Sequence, residues 1–197
     1  MLLLRTDKLP EGDGWLYEVK FDGYRALAIK SGGQVGLRSR NDKDFTKRYP
    51  AVVAALRALP DETVIDGEVV ALDATGKPVF SLLQDGGSNV HYYVFDVQML
   101  GGRDVTGEPL LKRRNLLERE VLPKLSEPIR CSPVLEASLS DLIESIRAQG
   151  LEGLVAKRAN SRYEPGQRSG AWMKMRSTAA RNSSSAAIQS AGAASTR

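Results

Sequence analysis

Cysteine and histidine are nearly absent from this 197-residue sequence, which contains one of each. Because Cys131 stands alone, an internal disulfide and a multi-cysteine zinc site are excluded. A histidine-dependent triad, or a metal site with several histidine ligands, would have to rely on His91 alone. His91 lies in a predicted strand, and we interpret it as structural.

Long apolar runs are also lacking. No segment approaches the roughly 18 consecutive apolar residues that cross a bilayer, so no membrane association is expected. The opening Met-Leu-Leu-Leu is followed at once by Arg5 and Asp7, which makes it too short for a signal peptide. Together with the lone cysteine, these features predict a reducing, cytoplasmic setting.

The overall composition is that of an ordinary globular protein, with 42% hydrophobic and 26% charged residues. The length is enough for one domain with a full core. A net charge of +4 and a pI near 9.2 favour a polyanionic partner, but only weakly.

Hydrophobic periodicity and turn residues predict an α+β fold, with single helices between groups of strands. The domain is predicted to span residues 1–176. Residues 177–197 are rich in Ser and Ala, with too little apolar surface to fold, and are predicted to be a disordered tail. We predict strands at 15–21, 24–30, 34–39, 63–72, 91–99, 154–157 and 172–176, an extended piece at 129–134, and helices at 45–59, 81–84, 111–122 and 140–149.

Polar and apolar residues alternate in the most informative segment, Tyr-Glu-Val-Lys-Phe-Asp-Gly-Tyr-Arg at 17–25. On a strand, Glu18, Lys20 and Asp22 share one face. Such a row is more often a solvated surface than a site when it occurs alone. A lysine in this position can also be a nucleophile, because its neutral amine is reactive.

Four further motifs follow this segment in order. Each could be explained structurally by itself, as a strand-end turn, a core aromatic, a solvated glutamate or a basic edge. The motifs are D-G-E at 66–68, Y-V-F-D at 93–96, E-G-L-V-A-K at 152–157 and W-M-K-M-R at 172–176.

Taken together, K-x-D-G-x-R and these four motifs closely resemble the covalent nucleotidyltransferases, and within them the adenylation domain of ATP-dependent DNA ligases. The nearest likeness is to the ligase module of bacterial multifunctional end-joining ligases, over about residues 14–176. The resemblance implies antiparallel sheets flanked by helices. It also implies that Lys20 attacks the α-phosphorus of ATP, and that the AMP then passes to the 5′-phosphate of nicked double-stranded DNA for strand joining in repair and recombination.

The resemblance assigns nucleotide contacts to five further residues. Glu18 matches the residue that recognises the adenine amine, and Phe95 matches the aromatic that stacks on the base. Arg25 and Glu68 match residues around the ribose. Lys174 matches a cation that holds the α-phosphate.

The remaining implied contacts involve a metal and phosphates. Glu68 and Glu152 match carboxylates associated with Mg²⁺ or Mn²⁺. Arg176 matches a second α-phosphate cation, although the family more often has lysine there, so the geometry is expected to differ. Arg40 resembles an arginine that grips the 5′-phosphate at the nick.

Family ligases continue into an OB-fold domain, which has no counterpart in these 197 residues. We therefore expect full activity to need an OB-fold, or end-joining proteins, supplied in trans. The protein is expected to be a monomer associated with the bacterial nucleoid.

Two other functions remain open. An RNA ligase or a GTP-using capping enzyme shares the same core. A non-catalytic module that binds DNA nicks or ends would keep the fold without the chemistry.

Overall fold

The computed structural model describes residues 1–84 and 89–177. Strands and helices follow one another in the predicted α+β manner, with each helix between groups of strands. The strands are β1 (Leu4–Arg5), β2 (Trp15–Val19), β3 (Tyr24–Ser31), β4 (Gln34–Ser39), β5 (Thr63–Ala71), β6 (Val90–Leu100), β7 (Arg103–Asp104), β8 (Ile129–Cys131), β9 (Gly153–Arg158) and β10 (Trp172–Arg176); the helices are α1 (Pro50–Leu56), α2 (Phe80–Gln84), α3 (Leu110–Leu116) and α4 (Leu139–Ala148).

The larger sheet has six strands, ordered β4-β3-β5-β6-β7 with β8 beside β6. All its pairings are antiparallel except that of β8 with β6. Its strands β3 and β4 form a hairpin whose tip is Gly32-Gly33, both with positive φ, as a tight two-residue turn requires. The apolar face of this sheet packs against α1, with Val52 and Leu56 buried.

The smaller sheet has four strands, ordered β1-β10-β9-β2. Strand β1 pairs with β10 in parallel and the other pairs are antiparallel, so each of the predicted antiparallel sheets contains one parallel pair. Helix α4 packs Leu142 and Ile146 against this sheet. Ser138 caps α4, accepting a hydrogen bond from the Asp141 N–H at 3.2 Å.

Strand β6 is interrupted twice by register shifts against β5. Asp96 faces Asp66 and Val94 faces Gly67, which leaves Phe95 as an extra residue. Farther along, Met99 faces Val64 and Val97 faces Ile65, which leaves Gln98 as a second one. Such bulges re-aim the side chain of the extra residue.

Two predicted helices and one strand are shorter than expected. The helix predicted over 45–59 begins only at Pro50, because the residue before proline is driven out of the helical region, and Tyr49 has φ −124° and ψ 64°. The helix predicted over 111–122 is α-helical only to Leu116 and continues as π and 3₁₀ turns to Lys124. The extended piece predicted over 129–134 forms a strand only to Cys131, shortly before Pro133, which has no N–H to donate.

The boundary of the predicted domain at residue 176 stays a prediction. Ser177 is buried and its N–H donates to the Glu152 carbonyl at 2.8 Å. Residues 178–197, for which disorder is predicted, lie outside the described residues. Among the described helices, none combines the length and the apolar character that a membrane span needs.

Candidate active site

Lys20 lies directly after β2 and is fixed through its backbone. Its N–H donates to the Gly153 carbonyl at 2.9 Å. Its ammonium forms an ion pair with Glu152, and both side chains are largely buried. Glu152 also pairs with Arg176 Nε at 3.3 Å. The K-x-D-G and E-G-L-V-A-K motifs, far apart in sequence, therefore meet at one carboxylate.

Two motif glycines allow these segments to approach closely. A Cβ on Gly23 would lie 2.2 Å from the Val69 carbonyl oxygen, and one on Gly153 would lie 2.0 Å from that of Met175. Gly153 also has φ +157°, a conformation that side chains disfavour. Glycine is thus required at both positions to hold the lysine segment and β9 against the neighbouring strands.

A cavity of about 200 Å³ lies next to Lys20 and is lined by strands of both sheets. Glu18, Lys157 and Lys174 line it from the smaller sheet. Seven of the nine residues predicted for the site line this cavity. Of the other two, Glu152 pairs with Lys20, and Arg176 pairs with Glu152. The seven are Glu18, Lys20, Arg25, Arg40, Glu68, Phe95 and Lys174.

Glu18 is 2% exposed and its carboxylate accepts four hydrogen bonds. Oε1 accepts from Arg114 Nη1 and from Lys157 Nζ, both at 2.9 Å. Oε2 accepts from Ser132 Oγ and again from Lys157 Nζ, both at 2.9 Å. A carboxylate has about four lone-pair positions, so Glu18 is held rigidly and its acceptor capacity is filled.

Sequence reasoning missed Lys157, Arg114 and Ser132. Lys157 belongs to the E-G-L-V-A-K motif. It lies two residues after Val155 on β9, and Val155 pairs with Glu18 on β2, so Lys157 and Glu18 share one face of the sheet. Its Nζ lies 4.2 Å from the centre of the Phe95 ring and 4.3 Å from that of Trp172. Burial lowers the pKa of Lys157, while the Glu18 carboxylate acts in the opposite direction.

Arg25 is oriented by a buried carboxylate. Its Nε and Nη2 donate to the two oxygens of Asp66, at 3.0 and 2.5 Å. Burial disfavours the guanidinium charge, but Asp66 outweighs it and raises the pKa of Arg25. The guanidinium lies 5.5 Å from the centre of the Phe95 ring, so Arg25 forms one wall of the cavity beside the aromatic.

Glu68 and Lys174 face the cavity without a carboxylate–cation pair among the described residues. Burial raises the pKa of Glu68 to about 8, although Lys20 and Arg25 oppose the shift. Burial and the nearby charges of Lys20 and Arg176 lower the pKa of Lys174. Arg40 and Arg176 are exposed, Arg40 lining the cavity and Arg176 beside Glu152.

His91 lies away from this cavity. Its ring nitrogens contact Asn89 Oδ1 at 2.8 Å and Glu127 Oε2 at 3.2 Å. These contacts agree with a structural role.

The sequence is similar to LigD proteins from more than one bacterium. LigD of Mycobacterium tuberculosis, a multifunctional non-homologous end joining DNA repair protein, is 39% identical over 164 residues, covering 81% of this chain and 21% of that protein. LigD of Pseudomonas aeruginosa is 37% identical over 177 residues, covering 87% of this chain and 21% of that protein. The chain thus spans about a fifth of the length of these relatives.

Similarity of structure agrees with similarity of sequence. A solved structure of mycobacterial DNA ligase D complexed with ATP and MES superposes with a TM-score of 0.71 at 36% identity, covering 82% of this chain and 54% of that one. This neighbour confirms the predicted adenylation-domain fold. The family model of the ATP dependent DNA ligase domain matches residues 6–176. The chain therefore belongs to the ATP-dependent DNA ligase domain family.

Proposed function

We propose that this chain carries AMP covalently on Lys20 and passes it to the 5′-phosphate of nicked DNA during bacterial end joining. The observation that carries the proposal is the position of Lys20 beside a cavity that offers an aromatic face, fixed polar groups and free positive charge. Few other activities need a lysine, an aromatic base platform and phosphate-binding cations within one cavity.

In the first step the neutral amine of Lys20 attacks the α-phosphorus of ATP. The ammonium first passes a proton to the Glu152 carboxylate, its ion-pair partner, which then holds the neutral amine by a hydrogen bond. The P–N bond forms as the P–O bond to pyrophosphate breaks, and the nitrogen releases its second proton to solvent. Lys174, on the cavity wall, neutralises charge that develops on the α-phosphate. Arg176, which is exposed and pairs with Glu152, neutralises charge on the same phosphate.

Adenine is proposed to stack on Phe95, with Glu18 and Lys157 at its edge. Lys157 uses two N–H groups on Glu18, which leaves its third for the ring nitrogen N1 of the base. In adenine N1 is an acceptor, whereas in guanine it carries a hydrogen. The adenine amine would share an oxygen of Glu18 with one of its present donors. Arg25 and Glu68 face the ribose.

The residues present fit a divalent cation held mainly by substrate phosphates. Within residues 1–84 and 89–177 no group of three or more His, Cys, Asp or Glu side chains could hold a metal. Glu68 and Glu152 nevertheless supply carboxylate oxygens, which suit Mg²⁺ or Mn²⁺ together with phosphates and water. Such a cation would neutralise phosphate charge.

The later steps involve DNA. Arg40 is exposed beside the cavity, where a guanidinium fork suits the 5′-phosphate of the nick. An OB-fold domain or end-joining proteins in trans would close over the DNA. We propose that the protein acts as a monomer near the nucleoid.

Intact mass spectrometry tests the proposal. After incubation with ATP and Mg²⁺, the protein should gain the mass of one AMP and lose it on treatment with pyrophosphate. Lys20→Ala should give no adduct, while Lys124→Ala, which changes an exposed lysine, should react normally. A GMP adduct in place of AMP would instead support a capping-type enzyme. Nick or end binding without any adduct, even with an added OB-fold segment, would support a non-catalytic module.

A further inference from the structure

Helix α3 carries two consecutive arginines that are both buried. Arg113 is fully buried and Arg114 is 4% exposed. Consecutive residues point about 100° apart around a helix, so the two guanidinium groups reach different strands. Replacing a buried ion pair by apolar residues is often neutral or stabilising, so the stability of the fold alone does not account for two such arginines side by side.

Arg113 holds the segment of β6 that carries Phe95, the proposed stacking partner of adenine. Its Nε and Nη2 donate to the two carboxylate oxygens of Asp96, both at 2.8 Å. Asp96 Oδ1 also accepts from the Val97 N–H at 2.8 Å, so this side chain is bonded to its own strand as well as to α3. Asp96 directly follows Phe95, the extra residue of the first bulge. The guanidinium thus fixes the backbone from which the Phe95 ring projects into the cavity.

The Arg113 guanidinium is itself held by two other segments. Its Nη1 donates to the carbonyl of Glu108, just before α3, at 2.6 Å, and to that of Ser161, after β9, at 2.9 Å. The centre of the Tyr163 ring lies 5.8 Å from the guanidinium carbon. Four N–H groups of Arg113 are therefore engaged, so Asp96 and the bulge beside it have one position relative to α3.

Arg114 holds the acceptor at the edge of the proposed base site. Its Nη1 donates to Glu18 Oε1 and its Nη2 to the Ser132 carbonyl, both at 2.9 Å. Nη2 also donates to Glu118 Oε1 at 3.3 Å. A rotated Glu18 carboxylate would lose its bond to Arg114, so this arginine favours one orientation of the acceptor. The described residues that line the nucleotide cavity include neither arginine of α3, so each acts through the carboxylate that it holds.

We propose that Arg113 and Arg114 are positioning residues that divide base recognition between them. Arg113 acts through Asp96 on the Phe95 ring, which stacks on the base. Arg114 acts through Glu18 on the acceptor for the adenine amine. The inference rests on the proposed function, because it takes adenine as the base in the cavity. Stacking uses the π face that every purine has, whereas the edge contact needs the amine, so the two contributions are separable.

Calorimetric titration with two nucleotides separates them, on protein treated with pyrophosphate to remove any AMP. One is the α,β-methylene analogue of ATP, which cannot transfer AMP, and the other is the same analogue of purine riboside triphosphate, which lacks the 6-amino group. The wild type should bind the ATP analogue more tightly. Arg114→Met should raise the Kd of the ATP analogue about three- to tenfold and leave that of the purine analogue unchanged, because only the former has an amine to donate. Arg114→Lys, which restores a charged donor, should restore most of the preference.

The matched change at the other arginine is the double variant Arg113→Met with Asp96→Asn. It leaves neither partner charged and keeps an acceptor oxygen for the Val97 N–H. The Kd values of both analogues should rise by one common factor of about three- to tenfold, because the stacking ring is displaced while the edge acceptor is kept. Arg119→Met, at an exposed position that follows α3, should bind both analogues as the wild type does.

Equal losses of affinity for the two analogues in Arg114→Met would overturn the inference, since they would leave Arg114 with a purely structural role. Wild-type affinities in the double variant, or a loss confined to the ATP analogue, would overturn it as well. Glu18 keeps Lys157 and Ser132 in Arg114→Met, so this variant leaves no charge unpaired and decides the inference if thermal melts show that the double variant is unfolded. A wild type that binds with the expected pattern but gains no AMP from ATP would refute the proposed function alone, whereas a wild type that binds neither analogue would refute both.

Discussion

Replacing Lys157 by methionine tests how the site selects its nucleotide. Methionine keeps an unbranched side chain against Phe95 and Trp172 but removes the ammonium that bonds both oxygens of Glu18. Glu18 keeps Arg114 and Ser132, so the fold should lose only about 1–3 kcal/mol, less than the roughly 3–5 kcal/mol that follows when a buried charge is left unpaired. The lost charged donor to adenine should lower kcat/KM for lysyl-AMP formation by about 10- to 100-fold.

The discriminating assay is the ratio of ATP to GTP in adduct formation, measured by intact mass at several nucleotide concentrations. GTP should not lose activity in Lys157→Met, because the variant removes a donor that opposes the guanine N1–H, so the ratio should fall. Lys124→Met serves as the control at an exposed position. Equal losses with ATP and GTP would refute a role in base selection and leave Lys157 as a structural partner of Glu18.

Two further predictions concern stability. Gly153→Ala should destabilise the fold by about 2 kcal/mol or more in urea unfolding, because its Cβ would meet the Met175 carbonyl at 2.0 Å; an unchanged midpoint would contradict the packing described. The pKa of Glu68 is near its ordinary value of 4.5 in the unfolded chain and about 8 in the folded protein. The free energy of unfolding should therefore fall as the pH rises between these two values, and the loss at pH 7 should be at most about 3 kcal/mol. Glu68→Gln should remove this slope in unfolding curves measured without nucleotide or metal, and a slope identical to that of the wild type would count against the burial of Glu68.

Sequence patterns predicted the strands better than the helix boundaries. The predicted bounds of β2, β3, β5 and β10 lie within about two residues of those observed, because apolar periodicity and flanking turn residues mark the ends of these strands. Proline chemistry was the signal that the helix prediction underused, since Pro50 fixes where α1 begins. The pairing of β1 with β10 depends on contacts between distant segments, which local periodicity does not encode.

The site was predictable where ordered motifs supplied residue types, and not where partners came from elsewhere in the chain. Lys20 and Glu152 belong to motifs, yet their ion pair became visible only in the fold. Arg114 lies in the predicted helix at 111–122, where no motif marks it, although it is 4% exposed and donates a hydrogen bond to Glu18. The bulges that aim Phe95 and Gln98 have no signature in an otherwise regular apolar strand.

The charges of the site are complementary to a metal–nucleotide. Three of its acids already have cations: Glu18 has Lys157 and Arg114, Asp66 has Arg25, and Glu152 has Lys20 and Arg176. Within residues 1–84 and 89–177, the cavity-facing groups left without an ionic partner are one acid, Glu68, and the cations Lys174, Arg40 and Arg168. A divalent cation would pair with the Glu68 carboxylate, and phosphates would pair with the three cations. A nucleotide bound with its metal would therefore neutralise all of these groups. Because the other pairs hold the cavity walls in place before binding, little reorganisation is required when the ligand arrives, and this preorganisation would favour the proposed attack by Lys20.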